Sequence, residues 1–244
     1  LLGSAVAAWT SKEHAYFTTF VLVTSAGIVA LTGALAFSEG PQGLIWPTTA
    51  FALGGALWLV GEEVYQTWGW QIPVSVGALA LAGVPFTPGF LTQPAIARMV
   101  QPNALFLALF GAFVVAQSLQ ISALLRSWSE TDRQHSTVLQ PGVIVRLMVS
   151  TVALLVPLTV IGFFPRVAAG LANMNDAIPP TLGNPPSVVA EAPVWLAVVI
   201  PLLLGIGLVI ARPALWSTFG GTLDGIGNFA RLEWLFRFSW WVID

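Results

Sequence analysis

Stretches of roughly 20 mostly apolar residues constrain this chain more than any other feature. A helix rising about 1.5 Å per residue needs that length to cross roughly 30 Å of hydrocarbon. Six stretches qualify. Residues 15–37 are uncharged throughout and end in the turn Ser38-Glu39-Gly40-Pro41. Residues 43–60 stop at Gly61-Glu62-Glu63. The third stretch begins at Ile72, and Gly83, Pro85, Pro88 and Gly89 crowd its middle; that pattern predicts a helix broken inside the membrane. Residues 103–125 carry Gln117, Ser118 and Gln120 on their later half, residues 143–164 are interrupted by Pro157, and residues 194–211 make the sixth run. The expected fold is an all-α integral membrane protein of about six spans.

Composition supports that class. Of 244 residues, 56% are hydrophobic and 8% charged, whereas a soluble domain carries roughly 25% charged residues. Net charge is −2 and the nine Lys and Arg are scattered singly, which excludes the basic patch of a nucleic-acid binder. The chain has no cysteine, so thiolate catalysis, disulfides and Cys-ligated metal centres are excluded. It opens Leu1-Leu2-Gly3 with no basic leader, unlike a signal peptide, and further sequence at either end is allowed for.

Residues 173–186 are rich in Pro, Asn and Gly and read as an exposed loop. After Arg212-Pro213 the chain turns glycine-rich and then Trp-rich, with Trp234, Trp240 and Trp241 near its end. Two regions are therefore expected, a transmembrane bundle over 1–212 and an interfacial amphipathic segment over 213–244, since indole rings favour the headgroup level. Across six spans, Lys12, Arg126, Arg133, Arg146, Arg212, Arg231 and Arg237 fall on one side, and Arg98 and Arg166 on the other. The positive-inside rule then places both ends in the cytoplasm, and the expected location is a prokaryotic cytoplasmic membrane or an organellar inner membrane.

Ionisable residues inside a span are functional candidates because burying charge in lipid is costly. Arg146 lies within a turn of its span's start and can snorkel to the interface. Glu62 and Glu63, at the expected end of the second span, read either as a solvated cap or as proton-loading groups. His14 and His135 lie outside the spans and read as solvated residues or as axial ligands of a pigment or haem. Broken backbone at membrane depth survives only against protein or a wet cavity. In transporters it often marks the substrate path, and the alternative is a proline kink held by packing.

The run Gly77-Ala78-Leu79-Ala80-Leu81-Ala82-Gly83-Val84-Pro85-Phe86-Thr87-Pro88-Gly89-Phe90-Leu91 resembles the S-L-A-G-x-P-P-x-x-G-F motif of the antiporter-like membrane subunits of respiratory complex I. Those subunits are similar to the large subunits of Mrp-type sodium/proton antiporters. Thr48-Thr49-Ala50-Phe51 resembles the family's T-H-A-F-F-K-A-L-L-F helix, and Leu232-Glu233-Trp234-Leu235 resembles its F-D-W-L-Y-D segment. The resemblance covers the C-terminal half of a complete family member. It implies a non-catalytic subunit of an energy-converting assembly such as an NADH:quinone oxidoreductase, with other membrane subunits and lipid as partners and no redox cofactor of its own.

The family's path of titratable groups is altered here. Its lysine or glutamate after G-F falls on Gln93, and its histidine and lysine in T-H-A-F-F-K fall on Thr49 and Leu53. Along the implied ion path remain Thr48, Thr49, Thr87, Thr92, Gln93, Gln117, Ser118 and Gln120, which hold water without carrying charge. The leading expectation is a structural or auxiliary subunit. A second is an active proton or sodium translocator using Glu62, Glu63 or Arg98, or completed by a missing N-terminal half. A third, suggested by eleven tryptophans, is an accessory subunit of a pigment- or quinone-containing complex.

Overall fold

The structure, a computed structural model, describes residues 1–11, 13–35, 42–100, 103–130, 141–166 and 192–231. Among them the regular structure is helical. In chain order the helices are α1 (Leu2–Thr10), α2 (His14–Leu35), α3 (Gln42–Thr49), α4 (Gly55–Trp68), α5 (Ile72–Leu81), α6 (Gln93–Ala97), α7 (Ala104–Glu130), α8 (Pro141–Phe163) and α9 (Ala192–Ala230). A π turn, Ala50–Gly54, joins α3 to α4, and a 3-10 turn, Pro88–Thr92, precedes α6.

Five helices are long and apolar enough to cross a bilayer: Tyr16–Leu35, Leu44–Trp68, Ala104–Ser127, Gly142–Phe163 and Ala192–Ala230. They coincide with five of the six expected runs. In the remaining run the apolar helix is the ten-residue Ile72–Leu81, roughly 15 Å long and about half a membrane.

Two boundaries differ from the sequence reading. The second helix continues past Glu62 and Glu63 to Trp68, where Gly69 adopts the left-handed conformation (φ 70°) and donates its N–H to the Tyr65 carbonyl at 2.8 Å. Glu62 and Glu63 therefore sit inside α4 and do not cap it, because uninterrupted backbone hydrogen bonding carries the helix to a glycine that can stop it. The last helix likewise runs through Arg212-Pro213 to Ala230 with Pro201 and Pro213 inside it. Its 39 residues extend roughly 58 Å, about twice the hydrocarbon thickness. The Trp-rich end, the 173–186 loop, Lys12, Arg133 and His135 lie outside the described residues.

Two compact units divide the chain. The first comprises residues 1–27, 111–130 and 200–244, the second 28–110 and 131–199. In the first, α1 is a short helix unforeseen from sequence, too brief to span, with Ala5, Ala7, Ala8 and Trp9 buried. Ala5 and Trp9 form a core with Ala116 and Leu119 of α7, covered by Leu208, Leu215 and Leu223 of α9. In the second unit, α4 and α5 pack backbone to backbone. A Cβ on Gly77 would lie 2.5 Å from the Trp58 nitrogen, and one on Gly61 would lie 2.6 Å from the Val74 Cα. Only glycine permits such an approach, as in many membrane helix pairs. Leu158 of α8 closes the pair against Leu57 and Ala80.

Candidate functional site

The interruption after α5 is built by local chain chemistry. Gly83 is left-handed at φ 68°; its N–H reaches the Ala80 carbonyl at 3.3 Å, and the Val84 N–H reaches Leu79 at 3.2 Å. This paired closure is the Schellman arrangement, and Pro85 then forbids the helix from resuming. Phe86 also takes positive φ, 67°, which is strained for a bulky residue. Its ring stacks on Phe163 of α8 with centroids 5.4 Å apart. Gly162 lets the α8 backbone lie against the Phe86 carbonyl, which a Cβ there would strike.

The chain then folds back on the end of α5. Gly89 packs so closely on the Ala80 carbonyl and the Gly83 Cα that no side chain fits. The hydroxyl of Thr87 donates to the Val84 carbonyl at 2.7 Å and that of Thr92 to the Gly89 carbonyl at 2.7 Å, so these threonines satisfy backbone freed by the break. Gln93 follows at 2% exposure. Its amide nitrogen occupies the space a Cβ on Gly83 would need, and its Oε1 is buried with no hydrogen-bond partner. Leu91 packs on Trp46 of α3, and Phe90 faces Trp195 of α9 with centroids 6.0 Å apart.

The other candidates are dispersed. Thr49 is half-buried at the end of α3 and Thr48 exposed; Glu62 is half-buried, while Glu63, Arg98 and Arg146 are exposed. Gln117, Ser118 and Gln120 are buried on the part of α7 that belongs to the first unit. The structure thus brings Gly83, Pro85, Thr87, Pro88, Gly89, Thr92 and Gln93 into one turn. Gln117 belongs to a separate polar seam. The side chain of His14 lies outside the described residues.

Within that seam, Gln120 donates through Nε2 to the Ser25 hydroxyl at 2.6 Å, and Trp9 Nε1 donates to the Ser122 hydroxyl at 3.1 Å. Arg126, 6% exposed, donates to the carbonyls of Trp9 at 2.9 Å and Ser11 at 2.5 Å and lies 5.7 Å from the Phe17 ring centroid. A cation at the C-terminal carbonyls of α1 is favoured by the helix dipole and completes orphaned acceptors. Sequence reasoning counted Arg126 only as a loop charge. The signal was present in Ser118, Ser122 and Arg126, spaced four apart and so sharing one face of an apolar helix.

Large apolar side chains stand exposed on the long helices, including Val23, Leu59, Leu105, Val149, Val152, Leu203 and Ile210. Water is a poor solvent for so many apolar faces and lipid a good one; the fold is that of a multi-pass membrane protein. No family model, curated protein or solved structure matches the chain.

Proposed function

We propose that this chain is an antiporter-like subunit of a larger membrane-bound energy-converting assembly, in which it maintains a scaffold and docking surface while its own proton path is interrupted. In this reading residues 72–97 form a third span broken at 83–89, giving six spans with both ends in the cytoplasm.

The observation that carries the reading is Gln93. Its side chain is buried in the break, at the position where the resembling family keeps a titratable group, and an amide cannot relay a proton by ionising. Arg126 is the one charged side chain among the fully buried described residues, and it is committed to the carbonyls that end α1. The remaining buried hydrogen-bonding side chains among the described residues are Ser, Thr and Gln, with Tyr65 and the indoles of Trp9, Trp46 and Trp58. Such groups can order water, and no carboxylate, histidine or lysine is among them.

A second reading, active translocation, draws on the position of Glu62. It lies within α4, roughly 9 Å along the axis from Trp68 at about 1.5 Å per residue, and is half-buried. Ion flux in proteoliposomes holding the intact native assembly separates the two. The scaffold reading expects flux unchanged by Glu62→Gln with Glu63→Gln. Abolished flux in that pair would establish the second reading instead.

A further inference from the structure

A polar cavity lies in the first unit where α1 ends, α2 begins and α9 ends. Its volume is about 230 Å³, and its lining is Thr10, Glu13, Asp224, Asn228 and Arg231. Every lining side chain is polar, in a chain only 8% charged. That volume equals roughly eight waters at about 30 Å³ each, the size of a small polar head group. The cavity sits beside the start of the Tyr16–Leu35 apolar run, where a helix spanning the hydrocarbon would meet the membrane–water interface.

The lining carries both signs. Arg231 reaches it from the end of α9, with its guanidinium 5.7 Å from the Tyr16 ring centroid. Its Nε is buried with no hydrogen-bond partner among the described residues, an unmet charged donor whose desolvation costs free energy until an acceptor arrives. Glu13 and Asp224 are the other charged lining residues. An anion alone would meet two carboxylates, and a cation alone would meet the guanidinium. A group with separated charges answers both. Gly227 builds the wall by letting α9 close on the Thr10 hydroxyl, which a Cβ at that position would displace.

We infer that this cavity binds a phosphoethanolamine group, its phosphate oxygens accepting from Arg231 and Asn228 and its primary ammonium donating to Glu13 and Asp224, while the Thr10 hydroxyl stays bonded to the Val6 carbonyl at 2.9 Å. Charge-assisted bonds of this kind are short and strong, above all at the edge of a low-dielectric region. A quaternary ammonium lacks the N–H donors that the carboxylates require, and a glycerol head group lacks the positive charge.

Native mass spectrometry of the full chain in detergent tests this. Phosphatidylethanolamine, phosphatidylcholine and phosphatidylglycerol of identical acyl chains are titrated in turn, beside soluble glycerophosphoethanolamine. The expected order puts phosphatidylethanolamine about tenfold tighter than the other two lipids, the difference of one charge-assisted contact. Arg231→Gln, and Glu13→Gln with Asp224→Asn, should each erase that preference. Glycerophosphoethanolamine binding as tightly as the lipid supports the site with a soluble ester as its ligand. Binding of the lipid alone supports it with a membrane ligand. Equal affinity for the three lipids, preference for phosphatidylglycerol, or folded variants that keep the selectivity would overturn the inference. Should a variant fail to fold, the head-group order on the native chain decides.

Discussion

Arg126 donates a hydrogen bond of 2.9 Å to the main-chain carbonyl of Trp9, 117 positions away in the chain. A second bond from the same guanidinium to Ser11 makes this residue the clasp between the end of α1 and α7. Arg126→Met removes both donors and leaves buried carbonyls unmet, so a loss of roughly 2–4 kcal/mol is expected. Thermal or denaturant unfolding in detergent measures it. Arg126→Lys should recover part of the loss, since an ammonium can donate but cannot reproduce the planar fork. Wild-type stability in Arg126→Met would show that the clasp contributes nothing.

Glycines of one chain should respond in opposite directions to the same substitution. At Gly61 a Cβ meets the backbone of Pro73 and Val74, so Gly61→Ala must separate α4 from α5 and should cost at least about 1–3 kcal/mol as overpacking. Gly83→Ala meets the Gln93 amide and a left-handed backbone, which adds about 1–2 kcal/mol of conformational strain. Nothing lies within 4 Å of a Cβ on Gly111. Gly111→Ala should therefore stabilise the helix by up to about 1 kcal/mol. Unfolding midpoints of the three variants, measured together, check the contrast.

The Gln120–Ser25 bond is a test of how much one interhelical hydrogen bond contributes in this fold. Such bonds in membrane proteins average about 0.6 kcal/mol and reach about 1.7. At 2.6 Å and full burial, this pair should fall in the upper part of that range. A double-mutant cycle of Gln120→Leu and Ser25→Ala reads the coupling directly, and a value indistinguishable from zero would remove the seam's energetic role.

Whether residues 72–97 cross the membrane can be decided with two cysteines. The chain has none of its own, so single substitutions label without background. Trp70 follows α4 and Asn103 precedes α7, and both are exposed. Trp70→Cys and Asn103→Cys should react with a membrane-impermeant maleimide from opposite faces of sealed vesicles if the six-span reading holds. Labelling from the same face would make the segment re-entrant and leave five spans.

Reading the sequence alone located the five long apolar helices, three of them to within a few residues at both ends, and marked the Gly83 to Pro85 sequence just beyond the point where α5 stops, because both are local properties. About 20 apolar residues suffice for a span wherever they occur, and Gly followed by Pro ends a helix without help from distant residues. The glycines of the α4–α5 contact were recognisable as small residues, but their partners were not. The helix ends were harder to read. A pair of glutamates resembled a cap, yet α4 continues to Gly69, and α9 accommodates Pro213 where a stop was expected.

What only the tertiary structure decided is the fate of each polar side chain. Arg126 reads as a loop charge until α1 is placed beside it, and Gln93 reads as a possible water ligand until the turn closes and leaves its Oε1 buried and unpartnered. The nine-residue α1 is itself such a case. It is too short to be stable alone and exists because α7 and α9 bury Ala5 and Trp9. The hydrophobicity of a span is set by its own residues, whereas satisfaction of a buried polar atom depends on groups that lie far along the chain.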